Sequence, residues 1–285
     1  MSFRFSSRLV VLGGLLLAGV LPLCAGGANG TKDAKEIIRT AMQSELDADK
    51  NDHTRWRYHD AKKDGIDTVS IVVETKDGSV RRVIMRNGQP LSEAEARAED
   101  ERVRRFIHDS DKLAKQRRDG AQDGKNAEEL LRMLPEAFTW KLVSEDEQKY
   151  TLHFDPNPNF SPPDMKGRVL GTMAGTLVVS KPENRIETIS GKLTQDVTIG
   201  WGLLGRLHEG GTFRVERRQV APGFWQIVET HVHIEGKALF FKTIGEQQDE
   251  VQTEFTQVPE GTTLEQAVEM SKPTYGAAAG NGTHK

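Results

Sequence analysis

Cysteine is nearly absent from this chain: of 285 residues only Cys24 carries a thiol, and it lies inside the amino-terminal apolar stretch. The remainder of the chain therefore has no internal disulfide and must be held by a hydrophobic core, which about 260 residues are enough to build. A membrane-length apolar run is missing too, because residues 9–20 fall short of the roughly 20 needed to span a bilayer. There is no serine-centred nucleophile elbow and no metalloprotease helix motif, and the sole cysteine is not a credible nucleophile. Paired carboxylates of a hydrolase lie far apart in sequence and leave no motif to find. Nor is there a basic excess. The formal charge is −3, and −5 once Arg4 and Arg8 are set aside, which argues against nucleic acid as a partner. No internal repeat occurs.

Arg4 and Arg8, the apolar run and the small residues at 25–28 together have the pattern of a signal for export. Residues 1–28 are expected to be removed, leaving a periplasmic or secreted protein. A variant reading uses Leu21-Pro22-Leu23-Cys24, with Cys24 acylated as a lipid anchor.

Residues 173–258 read as a run of strands with only turns between them. Leu193, Val197 and Ile199 alternate with Thr194, Asp196 and Thr198, and Phe213 and Val215 alternate with Arg214 and Glu216. Pro222-Gly223 turns the chain into residues 224–235, Gly236 turns it into 237–244, and a last strand carries Val251 and Phe255 on one parity. Without helix-length connections this is an antiparallel meander.

Upstream, Ala34, Ile37, Ile38, Ala41 and Met42 predict an amphipathic helix ended by the polar residues 47–52. Trp56 and Tyr58 open a strand, and residues 68–75 pair with 80–86 through Asp77-Gly78. After a turn at residues 87–90, Ser92 and Glu95 form a capping box on one long charged helix through Val103, Phe106, Ile107, Leu113 and Ala114. Its arginines at 102, 104, 105, 117 and 118 read as a solvated face, or as a patch for anionic lipid. Residues 119–125 read as a flexible link. A short helix with Leu130, Leu131 and Leu134 then ends at Pro135. Residues 138–143 and 149–154 form a hairpin, the proline-rich residues 155–164 a stiff loop, and Thr262 with Glu265 caps a last helix. The expected organisation is a signal peptide (1–28), a single α+β domain (29–272) with a helical insertion at about 92–134, and a disordered tail (273–285).

Three motifs bear on chemistry. Gly200-Trp201-Gly202-Leu203-Leu204-Gly205 matches the dinucleotide fingerprint in letters but runs into a strand, without the helix whose amino end cradles a pyrophosphate. Asp155, Asn157 and Asn159 imitate a calcium loop, yet Phe160 stands where glycine is needed and Lys166 where glutamate is. Glu229, His231, His233 and Glu235 share one strand face and could ligate a metal, but Val228, Thr230, Val232 and Ile234 opposite make that face simply the wet side of a sheet.

Residues 198–213 and 236–244 resemble a group of exported bacterial proteins in the superfamily of outer-membrane lipoprotein carriers and lipoprotein-sorting proteins. The resemblance extends over residues 32–258, and the long charged helix departs from it. It implies a curved antiparallel sheet, an unclosed half-barrel with helices packed on its concave face, and a hydrophobic cavity for acyl chains. It implies no catalytic residue and no cofactor. The expected function is binding of a lipid or an acylated protein, with outer-membrane association and without enzymatic activity. Trp140, Trp201, Leu203, Leu204, Phe213, Trp225 and Phe240 are the candidate ligand-binding residues, large apolar groups of which several neighbour glycines or turns. The alternatives are a partner-binding or sensory domain whose helices fill its own core, and a metal-dependent hydrolase built on His231 and His233.

Overall fold

Every strand pairing among the described residues is antiparallel, in a computed structural model that describes residues 33–63, 65–199, 205–238 and 243–273. The chain begins with α1 (Ala34–Asn51), β1 (Trp56–Lys63), β2 (Thr68–Thr75), β3 (Gly78–Arg86) and β4 (Gln89–Pro90). Two helices follow, α2 (Glu93–Ile107) and α3 (Ser110–Ala137), then β5 (Phe138–Glu145), β6 (Lys149–Pro156) and α4 (Met165–Leu170). Next are β7 (Met173–Ser180), β8 (Arg185–Leu193), β9 (Val197–Ile199) and β10 (Gly205–Leu207). The order ends with β11 (Thr212–Ala221), β12 (Phe224–Ala238), β13 (Thr243–Gln257) and α5 (Leu264–Met270). The fold is α+β, and among the described residues the strand order does not close on itself.

The chain divides into two compact units, one made of residues up to His53 with Gly120–Gln247, the other of Thr54–Asp119 with the residues from Gln248 on. In the first, the strand order is β12-β11-β8-β7-β6-β5, with β10 pairing both β12 and β9. Strand β6 shows how sequence builds its core. Tyr150, Leu152 and Phe154 are buried while Lys149, Thr151 and His153 are not, a period of two that gives the sheet one apolar face. The 3.6-residue period of α1 presents Ala34, Ile37, Ile38 and Ala41 to that face, and the last turns of α3 add Leu134 and Ala137.

In the second unit the order is β4-β3-β2-β1-β13. Ile71, Val73 and Val80 pack with Val103 and Ile107 of α2 and with Ala267 and Val268 of α5. Beyond the two-residue β4, the outer edge of β3 is closed by helix side chains. The Gln116 amide accepts from Ser79 N (2.8 Å) and donates to Ser79 O (3.1 Å), Arg102 donates to Arg81 O (2.6 Å), and Glu99 accepts from Val83 N (2.7 Å). An exposed strand edge is a template for unwanted pairing, and these contacts cover it.

Several local expectations shift. The hairpin after β2 turns on Lys76-Asp77, with Thr75 opposite Gly78, whereas Asn87-Gly88 has both residues at positive φ (46° and 75°), the geometry of the favoured two-residue turn. The long charged helix is two helices, because the Asp109 carboxylate accepts from Lys112 N (3.0 Å) and starts α3 afresh. Residues 119–125 are helix rather than link, since α3 runs unbroken to Ala137 with Pro135 in its last turn. Asp47 to Asn51 continue α1 instead of ending it. Gly236 is no turn, because β12 runs through it opposite Leu207. Residues 193–199 are not one strand. They bend at 194–196, where Asp196 accepts from Glu209 N at 2.8 Å. The last helix is capped one residue later, by Thr263 and Gln266.

Candidate functional site

The apolar face of the first unit holds Trp140 and Phe213 of the expected ligand site. Trp140 on β5 donates its indole N–H to Leu134 O (3.1 Å), which fixes the ring against the end of α3. The ring meets Phe138 edge-on (5.6 Å between centroids, 87°) and tilts over Phe154 at 5.4 Å. Phe213 on β11 borders the same core and lies opposite Gly191. Around the buried floor of Leu152, Phe154 and Leu177 stand half-buried apolar side chains, among them Leu130, Leu131, Met133, Phe160 and Met173. Met173 also reaches a second cluster of Leu193, Val197 and Ile234, bordered by Met165, Val169, Leu207 and Val232. Methionine is unbranched and polarizable, so a border rich in it adapts to irregular apolar surfaces.

Trp225 is not part of this border. It sits opposite Gln219 on the β11–β12 pair, donates its indole N–H to the Glu183 carboxylate, and lies over the Arg185 guanidinium at 5.9 Å. Trp201, Leu203, Leu204 and Phe240 lie outside the described residues.

Beside Trp225 is a buried ion cluster. Glu45 continues the apolar stripe of α1, and its carboxylate accepts from Ile186 N (2.8 Å), from Arg185 (3.0 Å) and from Arg217. Burial alone would raise the Glu45 carboxyl, but Arg217 and Arg185 outweigh it and hold the group below its usual range. Arg217 occupies the same parity of β11 as Phe213 and Val215, so the period that faces apolar residues inward also aims this cation at Glu45.

The second unit holds a carboxyl pair. Asp60 is completely buried and is bound by the Arg81 guanidinium, with Glu250 on the neighbouring strand within hydrogen-bonding reach. Burial, acting against Arg81 and reinforced by Glu250, pushes Asp60 up to about 6. Burial would raise Glu250 as well, but bonds from Asp60, Gln252 and Gln248 hold it below its usual range. Elsewhere in this unit an open cleft of about 360 Å³ is lined by Arg57, Glu269, Met270, Lys272 and Pro273. Arg57, Glu269 and Lys272 put charge on its wall, and it shares no residue with the expected acyl site.

On β12, Val228 and Ile234 are buried while His233 is exposed and His231 half-buried, with His231 Nε2 3.6 Å from the Glu229 carboxylate. The neighbouring strand supplies charge to the same face, where Arg214 and Arg218 both bind Glu216 at 2.7 Å. Among the described residues no group of three or more histidine, cysteine, aspartate or glutamate side chains is arranged to hold a metal ion. None of their helices is long and apolar enough to cross a membrane.

No protein-family model, curated protein or solved structure matches the chain. The two buried charge clusters went unseen in the sequence, although a signal was there. A glutamate on an apolar helix stripe and an aspartate on the parity of Trp56 and Tyr58 are charges at core positions, and buried charges require partners.

Proposed function

We propose that this chain is a non-enzymatic binding protein for acyl chains of lipids or lipoproteins, exported to the periplasm or beyond after loss of residues 1–28, and associated with the outer membrane. The observation that carries the reading is the border of half-buried apolar side chains around the first unit's core, which includes Trp140 and Phe213. Ligand pockets are mostly apolar with few polar groups, and each methylene taken from water there contributes about 0.8 kcal/mol. The resemblance of residues 198–213 and 236–244 to lipoprotein carriers supports the same ligand class.

A second reading, a partner-binding domain that fills its own core, is favoured by α1, whose Ile38 and Ala41 are fully buried on the sheet face that a carrier would keep for its ligand. One experiment separates the two. Protein made in an exporting host and purified without detergent is extracted and weighed for lipid and metal, then offered a fluorescent fatty acid. The carrier reading expects co-purified lipid and saturable uptake, weakened in Trp140→Ala while unfolding stays cooperative. If no lipid co-purifies and wild type takes up neither fatty acid nor acylated peptide at micromolar concentration, the partner-binding reading replaces it. Stoichiometric zinc would instead revive the hydrolase alternative.

A further inference from the structure

The Asp60 carboxyl is enclosed on every side, yet only one of its oxygens is satisfied. Arg81 binds Oδ2, while Oδ1 has no hydrogen-bond donor among the described residues. Its diagonal neighbour explains the gap. Asp60 pairs with Gln252 and Lys62 with Glu250, so Glu250 lies two residues along β13 and brings its own carboxyl to Asp60. Both Glu250 oxygens are occupied, Oε2 by the Gln248 amide (2.7 Å) and Oε1 by the Gln252 amide (3.0 Å). These amides bind the ionised form of Glu250. A carboxylate so held beside a buried oxygen lacking a donor leaves one arrangement that satisfies both: a proton on Asp60, donated to Glu250.

We propose that Asp60 and Glu250 form a one-proton latch between β1 and β13, a pH-sensitive fastening built into the second unit. With the proton in place, a side-chain hydrogen bond joins the two strands. When the proton leaves, two like charges face each other in a buried position and β13 loosens from β1. Within this unit, the charged or titratable groups around the pair are Tyr58 and Lys62 on β1 and Arg81 on β3, with Arg102 on α2 acting on Arg81. Strand β2 presents Ser70 and Val72 and adds no charge. Arg81 offsets one negative charge, so it holds the ionised pair together without restoring the lost hydrogen bond.

The sign of the effect comes from Asp60 being raised from 3.8 to about 6. A raised carboxyl contributes stability that is complete below its unfolded value and disappears as pH rises through the folded one. Glu250 is shifted the other way and acts only below its ordinary 4.5, so above that value the effect belongs to Asp60 alone.

The test is amide hydrogen exchange on the full chain at about pH 5 and about pH 7.5, corrected for the intrinsic rates and followed at the β1–β13 amides. Protection there should fall by about tenfold or more over the interval, with the β6–β7 amides as internal reference. Asp60→Asn, which cannot release the proton, should remove the step. Should Asp60→Asn fail to fold, Glu250→Gln at the half-buried member should shrink it, leaving only the part that burial of Asp60 sets. Carbon-detected NMR of the carboxyls should show Asp60 titrating near 6. A wild type with equal protection at both pH values, a variant that keeps the whole step, or an Asp60 already ionised at about pH 5 would each overturn the latch.

Discussion

Gly175 on β7 and Gly191 on β8 lie directly opposite each other, and neither has room for a β-carbon: at Gly175 it would overlap Ser190 O, at Gly191 Ala174 O. The row continues on both sides to Phe154 and Phe213, large–Gly–Gly–large across four strands. The Phe213 ring edge comes within 3.0 Å of where the Gly191 β-carbon would be. Glycines in a strand often mark such close approaches, with a neighbouring aromatic lying over the bare backbone. Gly175→Ala should therefore destabilise the first unit by about 1–3 kcal/mol or more, since the opposing atom is backbone and cannot rotate away. Urea denaturation of the variant checks this, and a midpoint equal to that of wild type would remove the steric argument.

The α+β class, the antiparallel pairing, α1 with its apolar stripe and the capping box at Ser92 were all legible, because each is written in a local period or a local cap. A single glycine weighs less than the segment around it. Gly236 and Gly120 look like breaks, but β12 and α3 are held on either side by long-range pairing and by the helix already formed. A charge at a core position is legible, but the partner of Glu45 is not. Glu45 is 140 residues from Arg185, and no window contains both. Gly120 offers a check. It is helical, with nothing within 4 Å of the place a β-carbon would take, so Gly120→Ala should stabilise by about 0.5–1 kcal/mol, whereas in a flexible link it would gain less.

Removing Glu45 should be costly. Glu45→Ala leaves the buried Arg185 and the half-buried Arg217 without their carboxylate and Ile186 N without its acceptor, a change of about 3–5 kcal/mol. Glu45→Gln keeps an acceptor for Ile186 N and should cost less. Because the folded Glu45 carboxyl is held below 4.5, its contribution is present above that value and is lost as pH falls through the lower, folded one. Denaturation curves of wild type and Glu45→Gln should therefore converge on acidification and differ most near neutrality.

Closure of the β3 edge makes a separate prediction. Gln116→Ala removes two hydrogen bonds to Ser79, each contributing about 1 kcal/mol, and bares part of a strand edge. The variant should lose roughly 1–2 kcal/mol of stability and self-associate more readily. Sedimentation velocity over a concentration series reads the second effect directly. A variant that stays as monodisperse as wild type would show that Glu99 and Arg102 suffice to guard the edge.

His231 and His233 test whether the alternation of β12 explains its polar face completely. His233 is exposed, and His231 sits between Arg214 opposite and Glu229 along the strand, within a ladder of arginines and glutamates. Such a ladder needs polar side chains at these positions whether or not a ligand binds, so parity alone accounts for both histidines. Replacing both with glutamine keeps the polarity and approximate size, and the change in stability should stay within about 0.5 kcal/mol. Added zinc should leave the melting temperature of wild type and of the double variant equally unmoved. A large loss in the variant, together with a zinc-dependent rise confined to wild type, would instead require the two imidazoles to act together on a metal, with Glu229 as the nearest carboxylate to complete or orient the site.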